Sequence, residues 1–418
     1  MAQHPIHLIV NDDLRRTRWT VALRLLLAFP HYIWLLLWSI AAFVAVLANW
    51  FATLARGRSP APLHRFLAAY VKYVTQLYAY LRLAADPYPS FDGPDGYPID
   101  LGIAPPAPQN RWRTLLRLPL AFPALLIGGA LAGSGSLPST GSRSGLTLIS
   151  QGGGLLGTVA FLGWFASVVR GQMPRGLRDV AAYGLSYGAQ LSAYLLLLTE
   201  HYPNSDPLRA LSTVPARDDP IALCGSDDLR RSRLTVFFRL PLSFPHLLWL
   251  TLWSVLAYLA ALVNWLVTLV RGRSPAALHR FLAAYVRYLI SVYAFLYIVA
   301  NPFPGFGGSP GSYPLDTVVA TLGRQNRWKV LFRLPLALPA VLLAAAYGGL
   351  GGLLAILGWF SSLVRGRMPR GMRNAGALAL RYHAQTLGYL LLLTDSYPYS
   401  GPCASDREPQ AVSPWQLL

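Results

Sequence analysis

The stretch RLLLAFPHYIWLLLW, which begins at Arg24, returns almost unchanged as RLPLSFPHLLWLTLW from Arg239. A weaker copy follows each of them, as QNRWRTLLRLPLAFP from Gln109 and as QNRWKVLFRLPLALP from Gln325. The chain therefore contains one motif written four times. Because a single repeat of this kind cannot bury its own apolar face, we expect the copies to pack on one another.

These copies divide the chain into four repeats, which we call A to D, and a short tail. We place repeat A at 1–96, repeat B at 97–212, repeat C at 213–307, repeat D at 308–402 and the tail at 403–418. Repeat B carries an insertion, GSGSLPSTGSRSGLTLISQGGG (133–154), whose Gly and Ser content predicts a flexible loop.

The composition favours a membrane protein. Hydrophobic residues make up 54% of the chain and charged residues only 13%, whereas a soluble protein carries about 25% charged residues. Uninterrupted apolar runs at 32–54 and 247–270 are long enough to cross a bilayer, which takes roughly 20 residues. The first residues, MAQHPIHLIV, show none of the features of a removable signal peptide.

The net charge of +19 comes mostly from arginines beside the apolar runs. Arginines in such positions orient membrane proteins and bind anionic lipid headgroups. We expect phospholipid rather than nucleic acid as the partner, because no soluble binding domain accompanies the charge. The candidate headgroup-binding residues are Arg56, Arg58, Arg65, Arg170, Arg175, Arg271, Arg273, Arg280, Arg365, Arg367 and Arg370.

Each repeat shows the same order of elements. First comes a short alternating segment typical of a strand, at 5–10, 97–103, 219–225 and 313–319. These four strands would form one small sheet if they lay on the same side of the membrane. A short amphipathic helix follows, with Arg and Trp suited to the membrane interface. We expect this helix to break or kink sharply at a proline, namely Pro30, Pro123, Pro245 and Pro339.

A long apolar helix then runs to an Arg-Gly turn, and a second helix runs from there to a cluster such as DPYP (86–89). Two crossings per repeat give about eight in total. The predicted fold is an all-α polytopic membrane protein of four tandem two-helix units, with interfacial amphipathic helices and short strand segments in the linkers.

The second helices contain the best candidate site. Aligned on their prolines, they place polar and aromatic residues at spacings of 0, 3 and 7, which share one helix face. These polar stripes would face a common interior and hold a headgroup or line a path, or they would serve packing alone. The stripe residues are Lys72, Tyr73, Gln76, Tyr80, Tyr187, Gln190, Tyr194, Arg287, Tyr288, Arg381, Tyr382, Gln385 and Tyr389.

Other chemistry finds little support in the sequence. The carboxylates cluster outside the predicted spans, which disfavours an ion-coupled carrier. His31, His64, His246 and His279 recur by duplication, which favours interfacial hydrogen bonding over metal binding or proton transfer. No catalytic, metal or cofactor-binding motif is found. Two cysteines, at 224 and 403, are interpreted as free thiols, with a bridge between them left open.

The order of motifs resembles a bacterial membrane family catalogued as domain of unknown function 4389. The motifs are FPH-x-x-W, N-W-x-x-x-L-x-R-G-R-x-P, L-H-R-F and D-P-Y-P-x-F, at 29–34, 49–60, 63–66 and 86–91. Repeat C matches as closely as repeat A, whereas repeats B and D lack the His-x-x-Trp and Asn-Trp elements. The resemblance implies tandem units in a bacterial inner membrane and supplies no activity.

We therefore expect a non-enzymatic, multi-pass protein of the bacterial cytoplasmic membrane. It would act as a scaffold or accessory subunit, bind anionic lipid, and associate with a membrane-protein partner or with itself. One alternative is a membrane-shaping protein whose long helices form shallow hairpins, which would keep every arginine cluster on one side. Another is a lipid or small-solute transporter that uses the polar stripes. Accessibility of the Arg-Gly turns distinguishes the first two.

Overall fold

The computed structural model describes residues 4–133, 154–211, 214–215, 217, 219–225, 228–320 and 323–403, without the Cys224 side chain. The chain forms two compact units, Met1–Thr213 and Val214–Leu418, and each is considered by itself. The predicted flexible insertion and the tail lie outside the described residues, apart from their first or last residues.

The first unit contains two strands and seven helices in its described part. In chain order these are β1 Ile6–Val10, α1 Arg18–Leu27, α2 Phe29–Arg56, α3 Ala61–Leu81, β2 Ile99–Ile103, α4 Arg111–Leu115, α5 Arg117–Ala132, α6 Gly154–Arg170 and α7 Arg175–Leu195. A single 3₁₀ turn, Pro207–Arg209, follows α7.

The described part of the second unit repeats this order with six helices. They are β3 Ile221–Gly225, α8 Arg233–Phe237, α9 Arg239–Arg271, α10 Ala276–Leu296, β4 Leu315–Val319, α11 Arg327–Leu331, α12 Arg333–Arg365 and α13 Arg370–Leu390. We call α2, α9 and α12 the long helices, and α3, α7, α10 and α13 the central helices; α5 and α6 together take the place of a long helix in repeat B.

The chain is mostly helical, as the sequence predicts, and three of the described helices are long and apolar enough to cross a membrane. These are the long helices α2, α9 and α12. Eight crossings would also require the central helices, and none of these is among the three. The count of eight therefore stays a prediction.

The strands correct one expectation, because in the described residues they form two separate sheets and not one. Strand β1 pairs antiparallel with β2, with Leu8 opposite Leu101, and β3 pairs with β4, with Leu223 opposite Thr317. One apolar face of each strand pair packs against the central helices of its own unit, where Leu8, Leu101 and Leu223 are buried. Hydrophobic burial within each unit therefore decides which strands pair.

The predicted proline break is also corrected in three of the four repeats. Pro30 lies in the first turn of α2, as expected, but Pro123, Pro245 and Pro339 lie inside α5, α9 and α12. A proline at the seventh residue of a helix removes one backbone hydrogen bond, and these helices continue through it. In these repeats the break instead falls directly before an arginine that is buried against a central helix.

Each unit is built in three layers. In the first unit α3 and α7 form the middle layer, with the long helix α2 on one face and the two-stranded β1–β2 sheet on the other. Tyr73 of α3 contacts His31 of α2 through its hydroxyl, at 2.9 Å from Nδ1. On the opposite face Lys72 of α3 forms an ion pair with Asp100 of β2 at 3.2 Å.

The two repeats of a unit are joined reciprocally. The indole of Trp50, near the end of α2, donates to the Thr114 carbonyl in α4, and that of Trp164 in α6 donates to the Val21 carbonyl in α1, both at 3.2 Å. The second unit repeats both bonds, from Trp265 to Val330 and from Trp359 to Val236. The short and long helices of each unit therefore form a closed frame over the central helices.

Candidate functional site

The exposed apolar residues of each unit concentrate on the frame of short and long helices. In α2 only His31, Ala42, Asn49 and Thr53 are buried. They recur at helical spacing and form one narrow stripe. The remaining faces carry exposed large side chains, among them Phe43, which is 64% exposed. An apolar face of this size on a protein marks a surface that contacts lipid or another protein.

The long helices are also longer than a straight crossing requires. Helices α9 and α12 each contain 33 residues, which is about 50 Å at about 1.5 Å per residue. The hydrocarbon core of a bilayer is about 30 Å thick. A crossing therefore uses about 20 of the 33 residues of each helix, and the remaining residues extend into the headgroup region or are accommodated by tilt.

Basic clusters lie at the corners of each frame, where the Arg-Gly turn of one repeat meets the short helix of the other. At the first corner the backbone N–H of Gln109 donates to the Gly57 carbonyl at 2.7 Å, and Arg111 Nη2 donates to the Ala55 carbonyl at 3.0 Å. The basic corners are Arg56/Arg58/Arg111/Arg113, Arg15/Arg18/Arg170/Arg175, Arg271/Arg273/Arg327/Lys329 and Arg230/Arg233/Arg365/Arg367, and all of these side chains are exposed.

The predicted headgroup arginines lie at these corners or at the first turn of a central helix. All eleven are exposed. Among the described residues none of them forms an ion pair with an acidic side chain. Trp112 and Trp328 stand beside two of the corners and are 75% and 72% exposed. Exposed Arg and Trp at the edge of an apolar surface are typical of residues at a membrane interface.

The sequence analysis did not identify a set of buried arginines. One arginine per repeat lies under the short helix or at the start of the long one and covers the ring of an aromatic residue in the last turn of a central helix. The pairs are Arg24 and Tyr80 at 4.2 Å, Arg117 and Tyr194 at 4.3 Å, Arg239 and Phe295 at 4.3 Å, and Arg333 and Tyr389 at 4.1 Å, measured from guanidinium carbon to ring centroid.

These arginines also bind the carbonyls left open where each central helix ends. Arg24 donates to the carbonyls of Tyr80 and Ala85 and forms an ion pair with Asp86 at 2.7 Å. Burial lowers the pKa of the Arg24 guanidinium, while Tyr80 and Asp86 raise it in part. The signal that could have revealed them was an Arg-Leu pair at the same distance before the proline in all four repeats.

The chain bends sharply after each central helix, at a bulky residue with positive φ. These residues are Leu83 (61°), Leu197 (63°), Ile298 (59°) and Leu392 (61°). The left-handed conformation is unfavourable for such side chains and persists only where the surroundings impose it. A buried side chain holds the carbonyl of each one: Arg16 for Leu83, Gln109 for Leu197, Arg231 for Ile298 and Gln325 for Leu392.

The polar stripes of repeats A and B are engaged by the protein itself. In repeat A, Lys72 pairs with Asp95 and Asp100, Tyr73 with His31, Gln76 with the Pro94 carbonyl, and Tyr80 with Arg24. In repeat B, Tyr187 donates to the Ala124 carbonyl, Gln190 to the Ile6 carbonyl, and Tyr194 lies under Arg117. Each stripe therefore joins its central helix to its own unit.

Repeats C and D use their stripes in the same way. Arg287 donates to the Thr317 carbonyl, and Tyr288 contacts His246 Nδ1 at 2.8 Å. Arg381 bonds Cys403 and the Gly401 carbonyl, Gln385 donates to the Ile221 carbonyl, Tyr382 packs on Tyr347, and Tyr389 lies under Arg333. A ligand role for the stripes stays a prediction.

The four-fold pattern has a counterpart among known protein families. The family model described as Domain of unknown function (DUF4389) matches residues 18–92, 147–205, 233–306 and 327–400, together more than half of the chain. The chain belongs to this family. Three of the four matches begin at the first residue of a short helix, namely at α1, α8 and α11. No curated protein and no solved structure shows significant similarity to the chain.

The histidines of the DUF4389 repeats take part in hydrogen bonds and ring packing. His31 and His246 contact the hydroxyls of Tyr73 and Tyr288. At the start of the central helices α3 and α10, burial lowers the pKa of His64 and of His279. Within the described residues, no three His, Cys, Asp or Glu side chains gather as they would around a metal ion.

Asparagines of two DUF4389 repeats join neighbouring repeats. Asn49 Nδ2 donates to the Leu196 carbonyl at 3.2 Å, and its Oδ1 accepts from the Ser59 hydroxyl at 2.7 Å. Asn264 makes the same pair of bonds, to the Leu391 carbonyl and from Ser274. Together with the buried arginines, they explain why polar residues recur inside apolar sequence.

Proposed function

We propose that this DUF4389 chain is a non-enzymatic scaffold or accessory subunit of a bacterial cytoplasmic membrane. It binds anionic phospholipid and associates with a membrane-protein partner or with a second copy of itself. The observation that supports this most is the exposed apolar frame of each unit with exposed arginines at its corners. Polar groups that would serve catalysis in an enzyme are used here to join helices.

The lipid preference follows from charge. Each Lys or Arg near an anionic membrane surface contributes about 1 kcal/mol of attraction. At the first corner Arg56 and Arg58 are exposed at the end of a long apolar helix, so their aliphatic stems can remain in the apolar layer while the guanidinium groups reach phosphate. We expect the preference for anionic over zwitterionic lipid to fall as ionic strength rises.

Two arrangements in the membrane fit this proposal. In the first the chain crosses the bilayer several times, and in the second it stays on one face of the bilayer. An eight-crossing arrangement needs α7 in the hydrocarbon, although its first two turns carry Arg178 and Asp179, a buried ion pair at 2.8 Å. In the arrangement we favour, the frame lies in one leaflet at a shallow angle, and the central helices and the two-stranded sheet remain on its polar side. The charged pair in α7 supports this choice.

Membrane shaping is the second candidate function, and the three-layer build of each unit favours it. Apolar helices on one face and a small sheet on the other would insert volume into one leaflet only, and that bends a bilayer. Transport has no comparable support, because the polar stripes are engaged by groups of the protein.

Native mass spectrometry of the chain extracted mildly from its membrane tests the proposal. We expect retained phosphatidylglycerol in the wild type and its loss in the double variant Arg56→Gln/Arg58→Gln. The matched control, Arg56→Lys/Arg58→Lys, keeps the charge and should keep the lipid. Equal lipid retention in both double variants would contradict headgroup binding by this corner.

The same spectra report on partners. A stoichiometric protein partner or a homo-oligomer supports the scaffold or accessory role. A lone chain that retains anionic lipid and deforms vesicles of phosphatidylglycerol supports membrane shaping instead. A lone chain without lipid preference and without effect on vesicles contradicts both functions.

A further inference from the structure

A pocket of about 380 Å³ lies in the first unit, within the frame of apolar helices. Its floor is formed by the central helices α3 and α7, with residues such as Val74 and Leu185, and its side by α5 and α6, with Gly128 and Leu156. Most of the lining is apolar. The volume falls at the lower end of the range for small-molecule pockets, which begins at about 300 Å³.

Small residues of α7 create this space. A Cβ atom added at Gly188 would meet nothing within 4 Å, so the helix is open to the pocket there. At Gly184 an added Cβ would meet the end of the Leu156 side chain at 2.5 Å. The open space on this helix face therefore lies at Gly188, while the Leu156 side chain packs closely on Gly184 one helical turn away.

The second unit fills the corresponding region with side chains. By alignment of the repeats, Ala379 and His383 replace Gly184 and Gly188, and Tyr297 replaces Arg82. The ring of Tyr297 packs so closely on α12 that a Cβ at Gly351 would meet it at 2.9 Å. His383 packs against Tyr293 at 6.1 Å between ring centroids. The pocket is therefore open in the first unit, and the corresponding region of the second unit is filled by side chains.

A single cation marks one end of the pocket. The Arg82 guanidinium lies over the ring of Tyr78 at 5.2 Å. In the described part of the chain it has no hydrogen-bond acceptor and no acidic partner, unlike the buried Arg24 nearby. From Tyr70 to Arg82 the lining follows α3 for about 18 Å at about 1.5 Å per residue. The site is therefore elongated and apolar, and it carries one positive charge at its end.

We propose that this pocket binds the tail of one long-chain fatty acid, with its carboxylate on Arg82. The volume of about 380 Å³ and the elongated lining suit one acyl chain and not two, and each buried methylene adds to affinity through the hydrophobic effect. A guanidinium matches a carboxylate through two parallel hydrogen bonds. The inference rests on the proposed function only in that the apolar frame gives the ligand access from a bilayer.

The test uses the delipidated full chain in detergent, titrated with palmitic acid and followed by native mass spectrometry. We expect one saturable palmitate per chain. Gly188→Leu should weaken binding at least tenfold, because the new side chain occupies the pocket, while leucine in place of glycine favours the helix and keeps the melting temperature. The matched control, Gly352→Leu, places leucine on α12, where an added Cβ also meets nothing within 4 Å, and should bind as the wild type does.

Separate measurements test the contact between the palmitate carboxylate and Arg82. Arg82→Gln should weaken palmitate binding about tenfold and leave the binding of palmitic acid methyl ester unchanged. Equal affinity of the wild type for the acid and the ester would overturn the role of Arg82. Preference for lysophosphatidic acid over palmitate would overturn the assignment of a fatty acid and point to a phospholipid source.

Failure of this inference is distinguishable from failure of the proposed function. If phosphatidylglycerol retention depends on Arg56 and Arg58 but palmitate binding is absent or indifferent to Gly188→Leu, the pocket inference is wrong and the headgroup proposal stands. If palmitate binds as expected and phosphatidylglycerol retention is indifferent to the corner arginines, the headgroup proposal fails and the pocket stands.

Discussion

Replacing Arg239 by leucine should destabilise the second unit strongly. The guanidinium donates to the carbonyls of Phe295 and Ala300, contacts the Asn301 side chain at 3.5 Å, and covers the Phe295 ring at 4.3 Å. Leucine cannot replace any of these donors, so buried carbonyls at the end of α10 lose their partner. Each buried carbonyl left without its donor costs about 1–3 kcal/mol, so the two together cost about 2–6 kcal/mol.

This cost can be measured as a shift of the thermal transition. A domain of this size loses about 2–4 °C per kcal/mol, so the transition of the second unit should fall by about 4–24 °C. Tryptophan fluorescence on heating the purified full chain in detergent follows the transition, and hydrogen–deuterium exchange shows whether α10 and the residues after it open first.

The matched control is Arg273→Leu, which removes an arginine of the same unit from an exposed corner. Its transition should move by less than about 2 °C, because exposed substitutions typically change stability by about 0.5 kcal/mol or less. A shift for Arg239→Leu no larger than that of the control would refute the reasoning that buried arginines hold the ends of the central helices.

Three further predictions concern stability. Asn264→Leu leaves the Leu391 carbonyl and the Ser274 hydroxyl without their partner and should cost the second unit about 1–3 kcal/mol, read from urea unfolding. Gly272→Ala, at φ 68°, should cost about 1–2 kcal/mol because alanine is strained there, whereas Gly352→Ala in α12 should not destabilise. Because burial lowers the pKa of His64, its contribution to stability is complete above about pH 6.5 and is lost as the pH falls below that value; melting at pH 8 and pH 5 should therefore differ less in His64→Gln than in the wild type.

The repeat structure is what the sequence reveals most reliably. The recurrence of RLLLAFP and RGRSP predicts four related segments, and the family match confirms them. The uninterrupted apolar run at 32–54 likewise predicts a long helix, which the structure has at Phe29–Arg56. Both signals can be read along the sequence, because neither depends on which segments meet in the fold.

Interactions between repeats could not be read from the sequence in the same way. The arginines before the proline look like interfacial anchors by composition, yet Arg239 is 2% exposed because its partner is the end of a central helix more than fifty residues away. Tertiary contacts of this kind also move the helix break away from Pro245. Similarly, Ser59 lies beside an exposed turn in the sequence but is 2% exposed, since its hydroxyl is bound to Asn49.

The candidate sites also differ in how far the sequence predicts them. The corner arginines were predictable, because a charged residue at the end of an apolar run has few alternatives to the surface. The partners of the polar stripes could not be predicted, because they are backbone carbonyls and side chains that only the fold brings near the central helices. The pocket at Gly188 was not predictable, since it depends on which side chains from four different helices fail to meet.

The central claim is that the apolar frame lies in one leaflet and that the central helices remain on its polar side. Single cysteines in place of Arg58, in the turn after α2, and of Asp95, in the loop before β2, test it with a membrane-impermeant maleimide on oriented membrane vesicles. Both side chains are exposed. Our account predicts that both cysteines label from the same side of the membrane. Labelling of the two from opposite sides would mean that α2 crosses the bilayer, and would contradict it.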